Sequence, residues 1–453
     1  MLDKLNRLNK LNKLNKLSIT LILLVFIQSC DSESDTESDQ SILSEYQFEL
    51  VAQLTNQCGQ KVAFDQLEIH LQDDNWALIE KYTADINGIV NFTTDQENIN
   101  YTIVAKSQQG SDEEGLDIVS YYHANTTTAA SYEATYDNAI DNTSCECITQ
   151  DIQVQHRSFA TIDSITISFD YQSYDIIDTQ NTYLNDAKIC RVIDGEWPVQ
   201  SIAIRGVDVN GNMIGAASVF DSVESNSDNL FQTAAIEVAE NSILPEVHQA
   251  FTIMQLIDDR EHFKTEVEES STESLVFNTH AYISESIYSS NANYTFDSFE
   301  SIFGQAAFTS HHQIKSSVYS EAVSATASTN KPDIDNVTFS ELADDGSYDY
   351  STVSNYPLVE IAFDYELSID NSNEIMPITW TMYGPNQGIL ASSVQLEGYE
   401  NLINADTYIH STDIKIIRSK NTDTYEDYIN YYQGNTNSDF SDDLYYFQLT
   451  LLL

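Results

Sequence analysis

Hydrophobic and polar side chains alternate with a period of two over many short segments of this chain. Near the start of the folded region, apolar residues stand at every second position over 48–54 and over 67–71. Because successive side chains of a β-strand point to opposite faces, this pattern predicts strands with one face buried and the other in water. The positions assigned to water in the second segment are Glu68, His70 and Gln72.

The same alternation recurs further along the sequence. Apolar residues mark every second position over 165–171 and 359–369, and both segments contain the tripeptide Phe-Asp-Tyr. Each is followed by a proline, a turn and a strand of small residues, so we expect an internal duplication of roughly 145–260 and 335–453. The alternative is that two unrelated β domains share the alternation. No stretch has the pattern of a long amphipathic helix, which predicts an all-β chain.

A tight hairpin turn is predicted at 85–88, where Asn-Gly supplies the backbone conformation that a primed turn requires. The run 83–92, followed by 101–105, resembles the carboxypeptidase-regulatory-like and related bacterial Ig-like β-sandwich domains. Those domains often carry a D-x-N-G turn before an apolar strand and close with a Y-x-I-x-A strand. The resemblance covers about residues 45–107 and implies a sandwich that is not catalytic and serves as a spacer or a binding module.

The predicted fold class is all-β, with several antiparallel β-sandwich domains of Ig-like or transthyretin-like type in tandem on an N-terminal tether. A length of 453 residues allows roughly two to four domains. The predicted boundaries are 1–29 for a lipoprotein signal peptide, 30–44 for an acidic disordered tether, 45–142 for the Ig-like or carboxypeptidase-regulatory-like sandwich, 143–260 for a second sandwich, 261–334 for a β-rich insertion or small domain with a linker, and 335–453 for a last sandwich.

The N-terminus has the features of a signal peptide. Residues 1–17 carry five basic side chains against one acid, and an apolar run covers 18–27. That run has about ten residues, whereas a membrane-spanning helix needs about twenty. It ends in Ile27-Gln28-Ser29-Cys30, which resembles a lipobox. The resemblance implies a lipoprotein that begins at Cys30, with acyl chains such as palmitate on the cysteine and the lipid bilayer as a partner. An ordinary cleaved signal with a chance cysteine is the alternative.

The chain is strongly acidic, with 71 Asp and Glu against 19 Lys and Arg and a formal net charge of −52. This charge repels nucleic acid, so no nucleic-acid partner is expected. The carboxylates are interpreted as a solvated surface. The acidic tract after Cys30 favours the outer membrane or the cell surface, while Asp31 leaves the periplasmic face of the inner membrane as the alternative.

Four further cysteines, Cys58, Cys145, Cys147 and Cys190, are an even number in an exported chain and are predicted to form disulfides. Cys145 and Cys147 share a face if their segment is a strand, which makes them poor partners for each other. Each is therefore expected to bond to Cys58 or Cys190. A zinc site of four thiolates is the alternative.

No common catalytic motif such as G-x-S-x-G or H-E-x-x-H occurs, so no catalytic residue is assigned and a non-enzyme is predicted. The acidic runs 333–336 and 344–349 contain oxygen ligands suited to calcium, but they lack the spacing of a known calcium loop. Solvated turns are the favoured interpretation, and no metal or other cofactor is assigned. Trp76 follows three polar residues and is predicted to lie in a loop, where an exposed ring could stack on a ligand such as a sugar.

The sequence leaves several classes of function open. The favoured one is a non-catalytic envelope lipoprotein that acts as a binding, adhesion or scaffold module at the cell surface, with a glycan or a protein as ligand. A carbohydrate-active enzyme with an unrecognised site is the second. An accessory subunit of an envelope complex is the third.

Overall fold

The computed structural model of the chain describes residues 45–108 and 114–220 and, after these, a series of shorter segments. The shorter segments are 229–232, 234–236, 238–239, 250–257, 260–268, 276–277, 283–301, 304–317, 346–353, 355–368, 375–391, 396–403, 408–419, 424–434 and 444–452. The predicted signal peptide, Cys30 and the acidic tether lie outside the described residues. Within the described segments, no helix is long and apolar enough to cross a membrane.

Strands make up most of the regular structure of the described chain, which confirms the predicted all-β fold with several antiparallel sheets. The first strands are β1 (Tyr46–Thr55), β2 (Lys61–Ala63), β3 (Leu67–Gln72), β4 (Leu78–Thr83), β5 (Ile89–Thr94), β6 (Asn98–Ser107), β7 (Gly115–Asn125) and β8 (Ala130–Glu133). A short 3-10 helix at Asp137–Ala139 follows them.

The remaining elements lie between Cys145 and Leu452. The middle strands are β9 (Cys145–Gln155), β10 (Thr161–Ile167), β11 (Ser173–Asp178), β12 (Asn181–Val192), β13 (Gln200–Val207), β14 (Met213–Phe220), β15 (Asn229–Gln232), β16 (Ala234–Ile236), β17 (Val238–Ala239), β18 (Ala250–Ile257), β19 (Arg260–Glu268), β20 (Val276–Phe277), β21 (Ile283–Ser301) and β22 (Gly304–Ser317). The last elements are β23 (Ser347–Asp349), β24 (Leu358–Ser368), β25 (Ile375–Pro385), β26 (Gln387–Ile389), β27 (Tyr408–Ser419), helix α1 (Tyr425–Gly434) and β28 (Leu444–Leu452).

The first sandwich packs two layers of strands around an aromatic core. Strands β2, β1 and β5 form one layer, to which β8 adds in parallel beside β1, and β4, β3, β6 and β7 form the other. Phe48 and Leu50 of β1 are fully buried, as the alternation over 48–54 predicts. The ring of Phe48 stacks on Phe92 at 4.8 Å between centroids and meets Tyr101 edge-on at 5.1 Å. The contact between Phe48 and Tyr101 joins the two layers across the core, whereas Phe48 and Phe92 belong to neighbouring strands of one layer.

A second sandwich follows with its own core. One sheet has the order β10-β13-β14-β16 and the other the order β11-β12-β9-β15. Val154, Phe159, Leu184 and Ile204 pack together and are each at most 2% exposed. The segment from β9 to β16 therefore buries its apolar residues independently of the first sandwich.

A twelve-stranded sheet connects the beginning of the described chain to its end. Its order is β19-β18-β21-β22-β28-β27-β24-β25-β7-β6-β3-β4. The two ends meet where β25 pairs in parallel with β7, from Ile378 opposite Leu116 to Tyr383 opposite Tyr121. Strands from the segment predicted as the last sandwich thus continue one layer of the first sandwich. The predicted boundaries and the predicted duplication stay predictions.

This arrangement buries a side of the sheet that the sequence pattern assigns to water. His70 is 1% exposed and Gln72 is 5% exposed, so the prediction that these positions face water is wrong. The reason is that the C-terminal part covers this side. Trp380 of β25, the strand beside β7 in the same sheet, is buried on this side, and the ring of Tyr399 lies 6.1 Å from that of His70. The layer formed by β3, β6 and β7 therefore has buried residues on both sides.

Helix α1 packs against the first sandwich and has no counterpart in the sequence prediction. Tyr428 and Ile429 belong to the same buried cluster as the core of that sandwich. The hydroxyl of Tyr425 donates to the carbonyl oxygens of Tyr122 in β7 and, at 3.2 Å, of Tyr383 in β25. The helix thus places a hydrogen-bond donor across the parallel pair of strands.

Candidate functional site

A row of polar side chains crosses the covered side of β3, β6 and β7. We call Glu68, His70, Gln72, Thr102 and Ser120 the polar seam. They occupy alternate positions whose neighbours enter the core of the first sandwich, and the strand register sets His70 opposite Thr102 and Thr102 opposite Ser120. Because buried polar groups are costly without partners, their hydrogen bonds show what the seam does.

A continuous chain of hydrogen bonds runs through the seam between two tryptophans. Gln72 Nε2 donates to the carbonyl of Trp76 at 3.0 Å, and Thr102 Oγ1 donates to Gln72 Oε1 at 2.6 Å. Thr102 and Ser120 share a hydrogen bond of 2.8 Å, and the indole Nε1 of Trp380 donates to Ser120 Oγ at 3.0 Å. Thr102 and Ser120 are both fully buried. This series of hydrogen bonds therefore links β3, β6 and β7 to β25, and each buried polar group in it has a hydrogen-bond partner.

Trp76 lies in a five-residue turn that occurs three times with a leading aspartate among the described residues, and once more at 56–60 with Asn56 in that place. The three turns with aspartate are 73–77, 85–89 and 208–212. In each, Oδ1 of the leading aspartate accepts the N–H groups of the third and fifth residues at 2.7 to 2.9 Å. The fourth residue has a left-handed backbone, which is ordinary for Gly88 (φ 74°) and Gly211 (φ 85°) but strained for Trp76 (φ 62°). Surrounding contacts must hold the tryptophan there.

Those contacts come from the C-terminal part of the chain and from β7. Trp76 is 1% exposed, and its Nε1 donates to the carbonyl of Ile389 at 2.9 Å. Its ring lies 6.1 Å from that of Tyr122. Trp76 does lie in a turn, but its predicted role as an exposed stacking surface is wrong, because neither ring face reaches solvent. The indole joins the turn to the strands that cover it.

The other end of the seam is a cluster of titratable groups. His70 Nε2 hydrogen-bonds to Glu68 Oε1, and Lys81 Nζ lies 3.5 Å from the same oxygen and donates to the carbonyl of Glu397. The hydrogen bond to His70 lowers the pKa of the Glu68 carboxyl. Burial, together with the nearby Glu68 carboxylate, raises the pKa of Tyr399 to about 12. The cluster ties β3 and β4 to the segment 396–403.

This cluster has the residue types of an acid–base site, but its histidine is buried. A general base must come within hydrogen-bond reach of the proton that it removes, but the His70 ring is almost completely buried. Tyr399 keeps its proton at neutral pH because its pKa lies far above that range, so it offers no phenolate nucleophile. The cluster is an ion-paired contact that connects β3 and β4 to the segment 396–403.

One disulfide links the first sandwich to the second, and another links two strands within the second. Cys58 bonds to Cys145 with 5.8 Å between the Cα atoms, and Cys147 bonds to Cys190 on the neighbouring strand. The prediction that Cys145 and Cys147 each bond to one of the outer cysteines is confirmed. The alternative of a zinc site is wrong, because all four thiols are consumed in disulfides. Asn56 reinforces the junction by donating through Nδ2 to Ser144 Oγ at 3.4 Å.

The described residues contain no group of three or more His, Cys, Asp or Glu side chains placed to hold a metal ion. Of the two acidic runs considered for calcium, 333–336 lies outside the described residues, as do Asp344 and Asp345. Asp349 is described, and its Oδ1 accepts hydrogen bonds from the backbone N–H and the hydroxyl of Ser351. That carboxylate caps a turn, as the solvated-turn interpretation expects.

Reasoning from the sequence missed Gln72, Thr102, Ser120 and Trp380 as a connected set. Two signals point to it in retrospect. Strand β7 is apolar on both faces at the adjacent positions 118 and 119, which is typical of a strand covered on both sides. The outward position of β6 in the seam is an uncharged threonine, a residue that can be buried at lower cost than a charged one.

Comparisons with known proteins give no relative that identifies this chain. No family model matches it, and no curated protein matches it. A solved structure of the major pilin subunit of Bacillus cereus is 8% identical, with coverage of 60% of this chain and 92% of that one and a TM-score of 0.13. Two B repeat units of the collagen-binding protein of Staphylococcus aureus are 9% identical, with coverage of 84% and 97% and a TM-score of 0.13. At these TM-scores neither likeness bears on function.

Proposed function

We propose that this chain is a non-catalytic lipoprotein of the bacterial envelope, anchored through Cys30, which acts as a rigid binding or scaffold module at the cell surface. The observation that carries the proposal is the use of the polar seam. Its polar and titratable side chains connect neighbouring strands of one sheet, and the segments that cover it, by hydrogen bonds, and all of them except the partly exposed Glu68 are buried. Residues that would serve catalysis in an open cleft serve here to hold distant parts of the chain together.

The disulfides support an extracytoplasmic location. Structural disulfides persist in oxidising compartments and are rare in the cytosol. Cys58–Cys145 joins the first two sandwiches and restricts movement between them, and Cys147–Cys190 links β9 to β12 within the second sandwich. A molecule presented outside the cell benefits from such restriction, because a rigid module presents a binding surface at lower entropic cost.

The lipid bilayer is the partner of the acylated N-terminus in this proposal, and the folded part has a glycan or a protein as its ligand. The net charge of −52 keeps such a module soluble at a crowded surface and excludes polyanions. The acidic segment 31–40 is the tether that separates the folded part from the membrane.

Metabolic labelling with a palmitate analogue, combined with protease shaving of intact cells, tests the proposal. The wild type and Ser29→Ala, which keeps a small residue before the cysteine, are expected to take up label, and Cys30→Ser is expected to take up none. Protease added to intact cells is expected to digest the folded part while a periplasmic protein stays whole. Absence of label in the wild type would refute the anchor, and protection until the envelope is opened would refute the surface location.

A further inference from the structure

Strand β11 is an edge strand with every residue exposed. Its six residues, Ser173–Asp178, are all exposed, and within the described chain it pairs with β12 alone. Three of its side chains are large and hydrophobic. Tyr174 is 41% exposed, Ile176 is 50% exposed and Ile177 is 58% exposed. The strand therefore combines an apolar surface with a row of backbone groups on its outer side.

Edge strands are usually protected from pairing with other chains. Strand β10, which precedes β11 in sequence and lies at the edge of the other sheet, is an example. Its register shifts between Ile162 and Ser164, which breaks the ladder near the middle of the strand. Its isoleucines, including Ile165, pack partly against the core of the second sandwich. In β11 the register shift lies at the far end, between Ile176 and Asp178. The first four residues of β11 form a regular edge without this protection.

The charge around β11 restricts what can pair with it. Residues 168–180 contain three aspartates and no basic residue. Asp175 and Asp178 lie on the strand itself, and the backbone N–H of Gln180 lowers the pKa of Asp178, which keeps that carboxylate charged at neutral pH. A second copy of this strand would place four carboxylates in one strand pair, which disfavours self-association. A basic strand would pair them with opposite charges.

We propose that β11 is a strand-addition site for an extended basic segment of a partner protein. Main-chain hydrogen bonds of that segment would continue the sheet β11-β12-β9-β15. Its aliphatic side chains would contact Tyr174 and Ile176, which share one face of the strand, and its Lys or Arg side chains would pair with Asp175 and Asp178. The proposal deepens the proposed function and rests on it, since it names the partner class of the binding module.

The test measures peptide binding to the detergent-solubilised full-length protein by fluorescence anisotropy at low salt. The probe is an acetylated, amidated peptide of about eight residues with alternating Lys and Val. The first control is the same peptide with N-methylated valines, which keeps charge and side chains but removes the N–H groups along one edge. We expect saturable binding of the probe and at least about tenfold weaker binding of the N-methylated peptide, because strand addition depends on main-chain hydrogen bonds.

Two variants locate the site on the protein. Ile176→Lys is expected to weaken probe binding at least about tenfold, because it removes an apolar contact and places a cation on the edge. Val209→Lys makes the same change of charge at a position 75% exposed in the turn 208–212 of the same sandwich and is expected to bind like the wild type. Equal thermal midpoints of the two variants show that both are folded.

Three outcomes would overturn the proposal: no binding of the probe, equal binding of the N-methylated peptide, or equal weakening by the two lysine variants. Either of the last two outcomes would show that the peptide binds only through attraction between opposite charges. Failure here leaves the anchor and the surface location untouched, because labelling and shaving of cells test those separately.

Discussion

At the scale of single residues, Trp76 occupies a turn position that favours glycine. Trp76 adopts a backbone conformation that the equivalent positions of the other two turns with aspartate assign to Gly88 and Gly211. Its strain is compensated by burial and by the hydrogen bond to Ile389. The motif D-x-N-G is enough to predict the turn at 85–88. It cannot predict that a related turn is covered, because the covering strands lie some three hundred residues away in sequence.

Ser120 is the residue on which the hydrogen-bond chain of the seam depends most directly. In Ser120→Ala, the indole N–H of Trp380 loses its acceptor and Thr102 loses a partner, and both groups are buried. An unpaired buried donor costs about 1–3 kcal/mol, so we expect the free energy of unfolding to fall by that amount. Denaturant unfolding measures it, with Ser164→Ala at an exposed position of β10 as the matched control. Equal stability of the two variants would contradict the role given to the seam.

Glu68 gives the fold a dependence on acid. Its pKa is lowered in the folded chain below the ordinary value of 4.5, chiefly by the hydrogen bond to His70. The carboxylate therefore stabilises the fold fully above about pH 4.5, and this contribution is lost as the pH falls through the folded pKa. We expect the stability gap between wild type and Glu68→Gln to shrink as the pH falls below about 4.5.

The measurement is the free energy of unfolding of wild type, Glu68→Gln and Glu49→Gln over a range of pH. Glu49 is exposed on β1, so its variant makes the same change of charge outside the cluster. The effect of Glu68 is the difference between the two variants. A difference that stays constant on acidification would argue against a stabilising Glu68–His70 pair.

At the scale of elements, the sequence predicts strands and cysteine partners well, because both depend on local geometry. Alternation over 48–54 identifies a strand with one buried face, and the spacing of Cys145 and Cys147 excludes their mutual bond. The parallel pairing of β7 with β25 has no such local signal, since more than 200 residues separate the two strands. The side of the sheet assigned to water was therefore predicted wrongly at His70 and Gln72.

The disulfide Cys58–Cys145 closes the longer of the two covalent loops, with a sequence separation of 87. The double variant Cys58→Ser, Cys145→Ser is expected to lower the free energy of unfolding by about 2–5 kcal/mol, because the open chain gains entropy when unfolded. Denaturant unfolding of the double variant with Cys147–Cys190 intact measures this effect. Unchanged stability would show that Asn56 and its neighbours hold the junction without the staple.

At the scale of the whole molecule, strands from the end of the described chain pair with strands from its beginning. The strands after residue 346 complete a sheet that starts at β3, and the second sandwich lies between these two segments in sequence. Trp76, Trp380 and Tyr425 all contribute hydrogen bonds across this junction. We therefore expect the first sandwich and the C-terminal strands to open together, as one cooperative unit.

Native-state hydrogen exchange of Ile378→Ala, read by mass spectrometry, shows whether the two parts open together. Ile378 is 1% exposed in β25 and lies opposite Leu116 of β7, so its truncation is expected to cost about 2–5 kcal/mol. Thr379→Ala, at the next and exposed position, is the matched control. Faster exchange than in the wild type is expected in peptides from both β7 and β25. Loss of protection confined to β25, with β7 as protected as in the wild type, would contradict this expectation.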